Sequence, residues 1–381
     1  MESSFKQLRQ DKPKLLYIVE AMGGGVFSYI VDLSSKLVDS FDLYIAYAIR
    51  QQTPSDYKKY FDMRVHLIEV QNFTRSVNVK KDFKAFFEIK RIAKEINPDI
   101  IHLHSSKAGV LGRWTFNGRK LPIFYTPHGY SFLMGDCGKI KRIVYRFIEK
   151  LSAKRYCTTI SCSEGEHKET LKLTKCAVYV DNGINIESLQ KLIDSVGKSK
   201  EHPFTVYTLG RICYQKNPAQ FNKIAEKMPG VRFLWIGDGE LKHQLVAPNI
   251  IITGWVKRIE ALKLAQSADV FILTSLWEGL PISLLESMYM KKLCIVSNVI
   301  GNHDVIQNDI NGYVCDSVEQ FVNAIERYEE AEKLVECAYA SIQTHYNTSI
   351  MANQYRNIYD SALRKMAHNI EAKCKTQISK S

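Results

Sequence analysis

From residue 14 to beyond residue 310 the chain alternates short apolar runs with helix-period stretches, and glycines, histidines or cations follow the runs. In the first half the runs lie at 14–20 (KLLYIVE), 42–48 (DLYIAYA), 65–70 (VHLIEV), 99–102 (DIIH), 122–126 (PIFYT), 157–163 (CTTISCS) and 177–180 (AVYV). In the second they lie at 204–209 (FTVYTL), 231–236 (VRFLWI), 250–255 (IIITGW), 269–274 (DVFILT) and 292–297 (KLCIVS). Each is too short for a buried helix and rich in β-branched and aromatic residues, so each predicts a strand of a sheet covered on both faces. The stretch 79–96 predicts an intervening helix, with an apolar pattern at Val79, Phe83, Phe86, Phe87, Ile89 and Ile92 and a stop at Asn97-Pro98. Strands alternating with helices specify parallel sheets, and two such arrays in 381 residues specify two doubly wound α/β domains facing across a cleft. We expect the first domain over 1–185, a linker over 186–203 where Gly, Ser and Lys replace strand character, and the second domain over 204–349.

Charge is shared unevenly between these halves. Residues 1–185 hold 30 Lys and Arg against 19 Asp and Glu, whereas 186–381 hold 22 against 21, so nearly all of the +12 net charge belongs to the first domain. That asymmetry points to an anionic partner for the first domain. Its basic centre is 139–156 (KIKRIVYRFIEKLSAKRY), where Ile140, Ile143, Val144, Phe147 and Leu151 share one helix face and Lys141, Arg142, Arg146 and Lys150 stand among the rest. Two readings are open: a core helix with a basic outer face, or a helix lying on anionic lipid headgroups. No nucleic-acid-binding signature accompanies the charge, which disfavours a nucleic-acid partner. No apolar run reaches the 18 or so residues that span a bilayer, and residues 1–14 lack a signal-peptide core. Nine scattered cysteines without a CxxC pair suggest a reducing, cytoplasmic compartment.

Loops after strands in such sheets face the ligand crevice. Gly24 and Gly25, in the triple glycine after the first strand, suit close approach of a phosphate or ligand, the favoured role, with a purely structural turn as the alternative. His128-Gly129 follows the 122–126 run and is the strongest histidine candidate, while His102 and His104 lack a third ligand at zinc-site spacing. In the second half, Gly210 ends a strand, and Arg211 and Lys216 are two cations suited to a diphosphate. The stretch 275–286 (SLWEGLPISLLE) places Glu278 and Glu286 eight residues apart around Gly279, Leu280 and Pro281, about two helical turns or roughly 12 Å. Carboxylates so spaced could hold opposite ends of one elongated polar ligand.

The combination of Arg211 and Lys216 in GRxxxxKN, the EGxP core inside E(x7)E, His128-Gly129 and the NGI segment 182–184 occurs in one order and resembles the family-4 retaining glycosyltransferases of the GT-B fold. The resemblance covers nearly the whole chain. The run 104–113 (HSSKAGVLGR) is similar to bacterial capsule and exopolysaccharide members. It implies a nucleotide diphosphate sugar donor, UDP- or GDP-linked, a polyprenyl-diphosphate-linked glycan acceptor in cell-surface polysaccharide synthesis, no cofactor and no metal. Arg211 and Lys216 would stabilise the leaving diphosphate, Glu278 the donor sugar, and Glu286 the ribose. Backbone at Gly279, Leu280 and Pro281 would orient the donor, with Gly24 and Gly25 bordering phosphates and acceptor, and His128 near the reacting carbon. A C-terminal helix over 350–372 would cross back to the first domain, leaving a tail at 373–381. The enzyme would sit peripherally on the inner face of the cytoplasmic membrane. Two alternatives remain at this stage: a nucleotide-sugar epimerase on the same fold, and a non-catalytic nucleotide-sugar-binding subunit of a polysaccharide assembly complex.

Overall fold

The structure is a computed structural model that describes residues 12–50, 52–74, 78–133, 138–196 and 202–378. Seven strands form the first sheet: β1 (Lys14–Met22), β2 (Asp42–Ile49), β3 (His66–Glu69), β4 (Ile100–His104), β5 (Ile123–Thr126), β6 (Thr158–Ser161) and β7 (Ala177–Tyr179). They are parallel throughout, in the order β3-β2-β1-β4-β5-β6-β7. The helices that return the chain are α1 (Gly24–Leu37), α2 (Val79–Ile96), α3 (Ser106–Thr115), α4 (Lys139–Ser152) and α5 (Glu164–Leu171). Along β1, Leu15, Tyr17 and Val19 face one core and Leu16 and Ile18 the other, which is the two-sided burial that the unbroken apolar runs require.

The second sheet comprises β8 (Thr205–Leu209), β9 (Arg232–Ile236), β10 (Ile250–Ile252), β11 (Val270–Leu273), β12 (Leu293–Ser297) and β13 (Tyr313–Cys315), parallel in the order β10-β9-β8-β11-β12-β13. Around it lie α6 (Ile186–Val196), α7 (Pro218–Lys227), α8 (Arg258–Gln266), α9 (Ile282–Tyr289), α10 (Val318–Glu326) and α11 (Glu332–Thr344), before the long α12 (Thr348–Ile378).

Two expectations change here. The stretch 186–203, expected as a linker, is helical over Ile186–Val196, and Leu189 is buried in the second domain's core with Ile186, Leu192 and Ile193 against it. Apolar residues at i, i+3, i+6 and i+7 give that segment a buried face despite its polar composition. The chain instead changes domain just before it, where Ile184 N–H donates to the Tyr346 carbonyl (3.1 Å) and Thr348 N–H donates to the Ile184 carbonyl (2.9 Å). Both crossings therefore run side by side. The helix expected over 350–372 starts at Thr348, and its backbone stays helical through Ile378, into the stretch expected as a tail. Met351, Ala352, Tyr355 and Tyr359 bury themselves in the first domain's core, as the crossing-helix expectation requires.

Candidate active site

The GLPI turn sits between β11 and α9, at the carboxyl edge of the second sheet. Pro281 caps α9 with extended backbone, and Leu280 is buried. Glu278 is 7% exposed, and its Oε1 accepts hydrogen bonds from Lys216 Nζ (2.7 Å) and Ser275 Oγ (2.7 Å). Gln215 Nε2 reaches Oε2 at 3.3 Å and the Trp277 carbonyl at 3.0 Å. The lysine expected on the diphosphate and the carboxylate expected on the sugar thus form one ion pair.

Local backbone explains how Lys216 arrives there. Gly210 has φ +149°, and a Cβ on it would stand 3.3 Å from Lys216 Cε, so the missing side chain leaves the lysine its path. Asn217 takes the left-handed conformation and Pro218 opens α7, which turns the loop back toward the cleft. Arg211, the other expected cation, pairs at 3.8 Å with Glu240 and with no other carboxylate among the described residues.

Glu286 lies one helix face further on, buried, with Oε1 2.5 Å from Arg258 of α8. Sequence reasoning did not find Arg258, because 28 residues and a strand separate it from its partner. Asp32 of α1 stands opposite this pair; burial pushes it up to about 6 against the pull of Arg258, and Glu286 adds to the rise. Glu286 of the second domain is therefore faced by an acid of the first domain. Gly24 and Gly25 open α1 with no atom within 4 Å of where a Cβ would stand, and Gly24 holds φ +57°.

His128 comes from the loop after β5. It is half-buried, has φ +54°, and its Nε2 lies 3.1 Å from His104 Nδ1. Positive φ in a residue other than glycine costs of order 1–3 kcal/mol, so the surrounding contacts must enforce it. They do: buried Glu166 accepts from Gly129 N–H (2.7 Å) and from Cys162 N–H (2.8 Å), pinning the loop from below. Burial raises the Glu166 carboxyl and these amide donors oppose the rise. Burial also drives His128 down to about 3, so its imidazole is neutral at physiological pH.

The two domains touch at glycines. A Cβ on Gly279 would come within 2.9 Å of Cys162 Sγ and 3.1 Å of Gly129 N; behind it, within the second domain, one on Gly301 would come within 2.3 Å of the Gly279 carbonyl oxygen. Asn182 Nδ2 donates to the Leu280 carbonyl (2.9 Å) across the same seam. His128, Gly129, Lys216, Glu278 and Gly279 consequently converge, while Glu286 lies farther along α9 with Arg258 of α8 against it. Glu166, Asn182 and Arg258 complete the site as positioning groups; only Asn182, through the NGI segment, carried a sequence signal.

Lys141, Arg142, Arg146 and Lys150 lie on α4, and all are exposed. Arg142 Nε donates to the Phe132 carbonyl (3.0 Å) and Arg146 stands 5.7 Å from the Phe132 ring centre. The core-helix alternative for α4 does not hold: Ile140 is 79% exposed and Phe147 65%, with Ile143, Val144 and Leu151 also open. Val79, Phe83 and Phe87 of α2, part of the apolar pattern expected for that helix, are exposed too, and the buried face of α2 is Ala85, Ile89, Ile92, Ala93 and Ile96.

Two parallel-sheet domains closing on each other at a loop rich in cations, carboxylates and glycines define a GT-B-type protein. The fold agrees with sucrose-phosphate synthase from Thermosynechococcus elongatus (15% identity, TM-score 0.75, 91% of this chain and 98% of that one). It agrees also with Anabaena HepE in complex with UDP and glucose (14% identity, TM-score 0.70, 91% and 100%). Residues 23–188 match the profile of Glycosyltransferase Family 4, and 190–343 that of Glycosyl transferases group 1. An Escherichia coli UDP-Gal:alpha-D-GlcNAc-diphosphoundecaprenol alpha-1,3-galactosyltransferase is 30% identical over 70% of this chain and 76% of its own length. The N,N'-diacetylbacillosaminyl-diphospho-undecaprenol alpha-1,3-N-acetylgalactosaminyltransferase of Campylobacter jejuni is 24% identical over 81% and 89%. The chain belongs to the family-4 glycosyltransferases.

Proposed function

We propose that this glycosyltransferase transfers a sugar, with retention of anomeric configuration, from a nucleotide diphosphate sugar to a glycan carried on a polyprenyl diphosphate. The observation that carries the reading is the convergence of the Lys216–Glu278 pair with the His128-Gly129 loop at the domain seam. Relatives whose names specify a UDP-sugar or undecaprenyl-diphosphate acceptors support the substrate classes. In this reading Lys216 and Arg211 stabilise negative charge as the diphosphate leaves, and no metal or cofactor takes part. Glu278 holds hydroxyls of the donor sugar and Glu286 the ribose. Backbone N–H groups at Gly279, Leu280 and Pro281 orient the donor, and Gly24, Gly25 and Gly210 let it approach. The acceptor attacks on the face the diphosphate leaves, and a leaving-phosphate oxygen takes the acceptor proton.

The partner at the surface is an anionic bilayer. Exposed apolar stripes on α4 and α2, with Lys141, Arg142, Arg146 and Lys150 beside them, suit insertion at a headgroup boundary. No described helix is long and apolar enough to cross a membrane, so binding would be peripheral.

A thermal-shift panel of nucleotide sugars tests the donor: a ligand at a hundred times its dissociation constant stabilises by about 2.7 kcal/mol. Absence of a shift with every UDP- and GDP-sugar, together with unchanged polysaccharide in cells carrying Glu278→Ala, would sink the reading.

A further inference from the structure

His104 ends β4 fully buried, with Nδ1 3.1 Å from Nε2 of His128. Burial drives the pKa of His104 well below the ordinary histidine range, and that of His128 is likewise depressed, so both rings are neutral near pH 7. A hydrogen bond between two neutral imidazoles contains one proton, so one ring donates and the other accepts. Which one donates is set by the far nitrogen of His104. Its Nε2 is buried and has no hydrogen-bond partner among the described residues. Around it stand rings: Tyr17 at 4.7 Å and His102 at 4.1 Å between centroids. A proton on Nε2 would bury an orphaned N–H, the rarer and costlier state, whereas an idle lone pair there is tolerated. The proton of His104 therefore belongs on Nδ1, aimed at His128.

We propose that His104 is a positioning residue that fixes His128 in its Nδ1–H tautomer, so that His128 offers the bound sugar a hydrogen-bond donor. The inference rests on the donor-site reading of His128. With Nε2 accepting from His104, the proton of His128 resides on Nδ1, which has no partner among the described residues and sits on a half-buried side chain at the seam. A second layer holds the arrangement. His102 Nδ1 is 2.6 Å from the Tyr359 hydroxyl and its Nε2 2.9 Å from Thr126 Oγ1, and its ring lies against His104. The plane of the positioning ring is thereby tied to α12, the helix that returns from the second domain.

Long-range proton–nitrogen spectra of the ligand-free, 15N-histidine-labelled protein read the tautomer directly. The expected result is a protonated Nδ1 and an unprotonated Nε2 on His128. A protonated Nε2 on His128 would overturn the proposal without any variant being made. His104→Asn places an amide N–H where Nδ1–H stood and should keep that tautomer. His104→Leu should release it toward Nε2–H and raise the KM for the nucleotide sugar about tenfold, with His104→Asn recovering most of the loss. Equal kinetics in the Asn and Leu variants would also refute it. If the donor-site reading itself fails, the tautomer is still found but no nucleotide sugar binds; the two failures are distinct.

Discussion

At the scale of residues, the two carboxylates of the 275–286 stretch differ in what they touch, and the difference predicts separable losses. Glu278 sits among Lys216, Ser275 and Gln215 at the seam, whereas Glu286 faces Arg258 and, beyond it, Asp32. Glu278→Gln should lower transfer at least a hundredfold while nucleotide affinity, read by calorimetry, changes less than about threefold. Glu286→Gln should weaken nucleotide binding about tenfold, the worth of one hydrogen bond to a charged group. Equal effects on both quantities would refute the division of roles. The histidines give a pH prediction. His102, His104 and His128 are held neutral in the folded protein, so the unfolded chain binds more protons once pH drops below about 6.5. Each then removes about 1.4 kcal/mol of stability per pH unit as pH falls from there toward its folded value. Asp32, raised to about 6, works in the opposite sense, as do the raised carboxyls of Glu166 and Asp181, but the histidines begin to act at higher pH. Melting temperature should accordingly fall between pH 6.5 and 5, and His102→Gln should flatten the fall.

At the scale of elements, periodicity was most informative where caps agreed with it. The helix expected over 79–96 spans Val79–Ile96, because the Asn78 side chain accepts from Lys81 N–H at one end and Asn97 takes the left-handed conformation before Pro98 at the other. Its apolar pattern was less faithful: Val79, Phe83 and Phe87 face solvent, since periodicity identifies a stripe and not what covers it. The same holds for α4, whose stripe opens outward. Replacing Ile143 and Phe147 by Glu should reduce flotation with anionic vesicles at least tenfold, as burying each side chain contributes about 1.5–3 kcal/mol. Donor hydrolysis by the same variant in detergent should stay within twofold. Loss of hydrolysis with unchanged flotation would assign the stripe to the fold instead of the bilayer.

For the whole molecule, activity depends on how closely two domains approach at glycines. Gly279→Ala would push a methyl into Cys162 Sγ and Gly129 N. Backbone cannot yield as a flexible side chain does, so the seam should open; we expect kcat/KM to fall at least tenfold while the melting temperature moves only a few degrees. A larger radius of gyration in solution scattering would accompany it, and an unchanged radius with full activity would show that the contact is not needed.

Strand positions, two parallel sheets and the residue types at the cleft followed from the sequence alone, because short unbroken apolar runs and Gly, Pro and His after them are local signals of burial and turning; the return of the last helix followed only from the family resemblance. The place where the chain changes domain did not, because α6 hides its apolar face in a polar composition. Nor did Arg258 beside Glu286, Glu166 beneath Gly129, or His104 against His128, each pair 24 to 37 residues apart. Such partners meet only when parallel strands bring their carboxyl ends to one edge, and the tertiary structure alone decides which distant side chains share it.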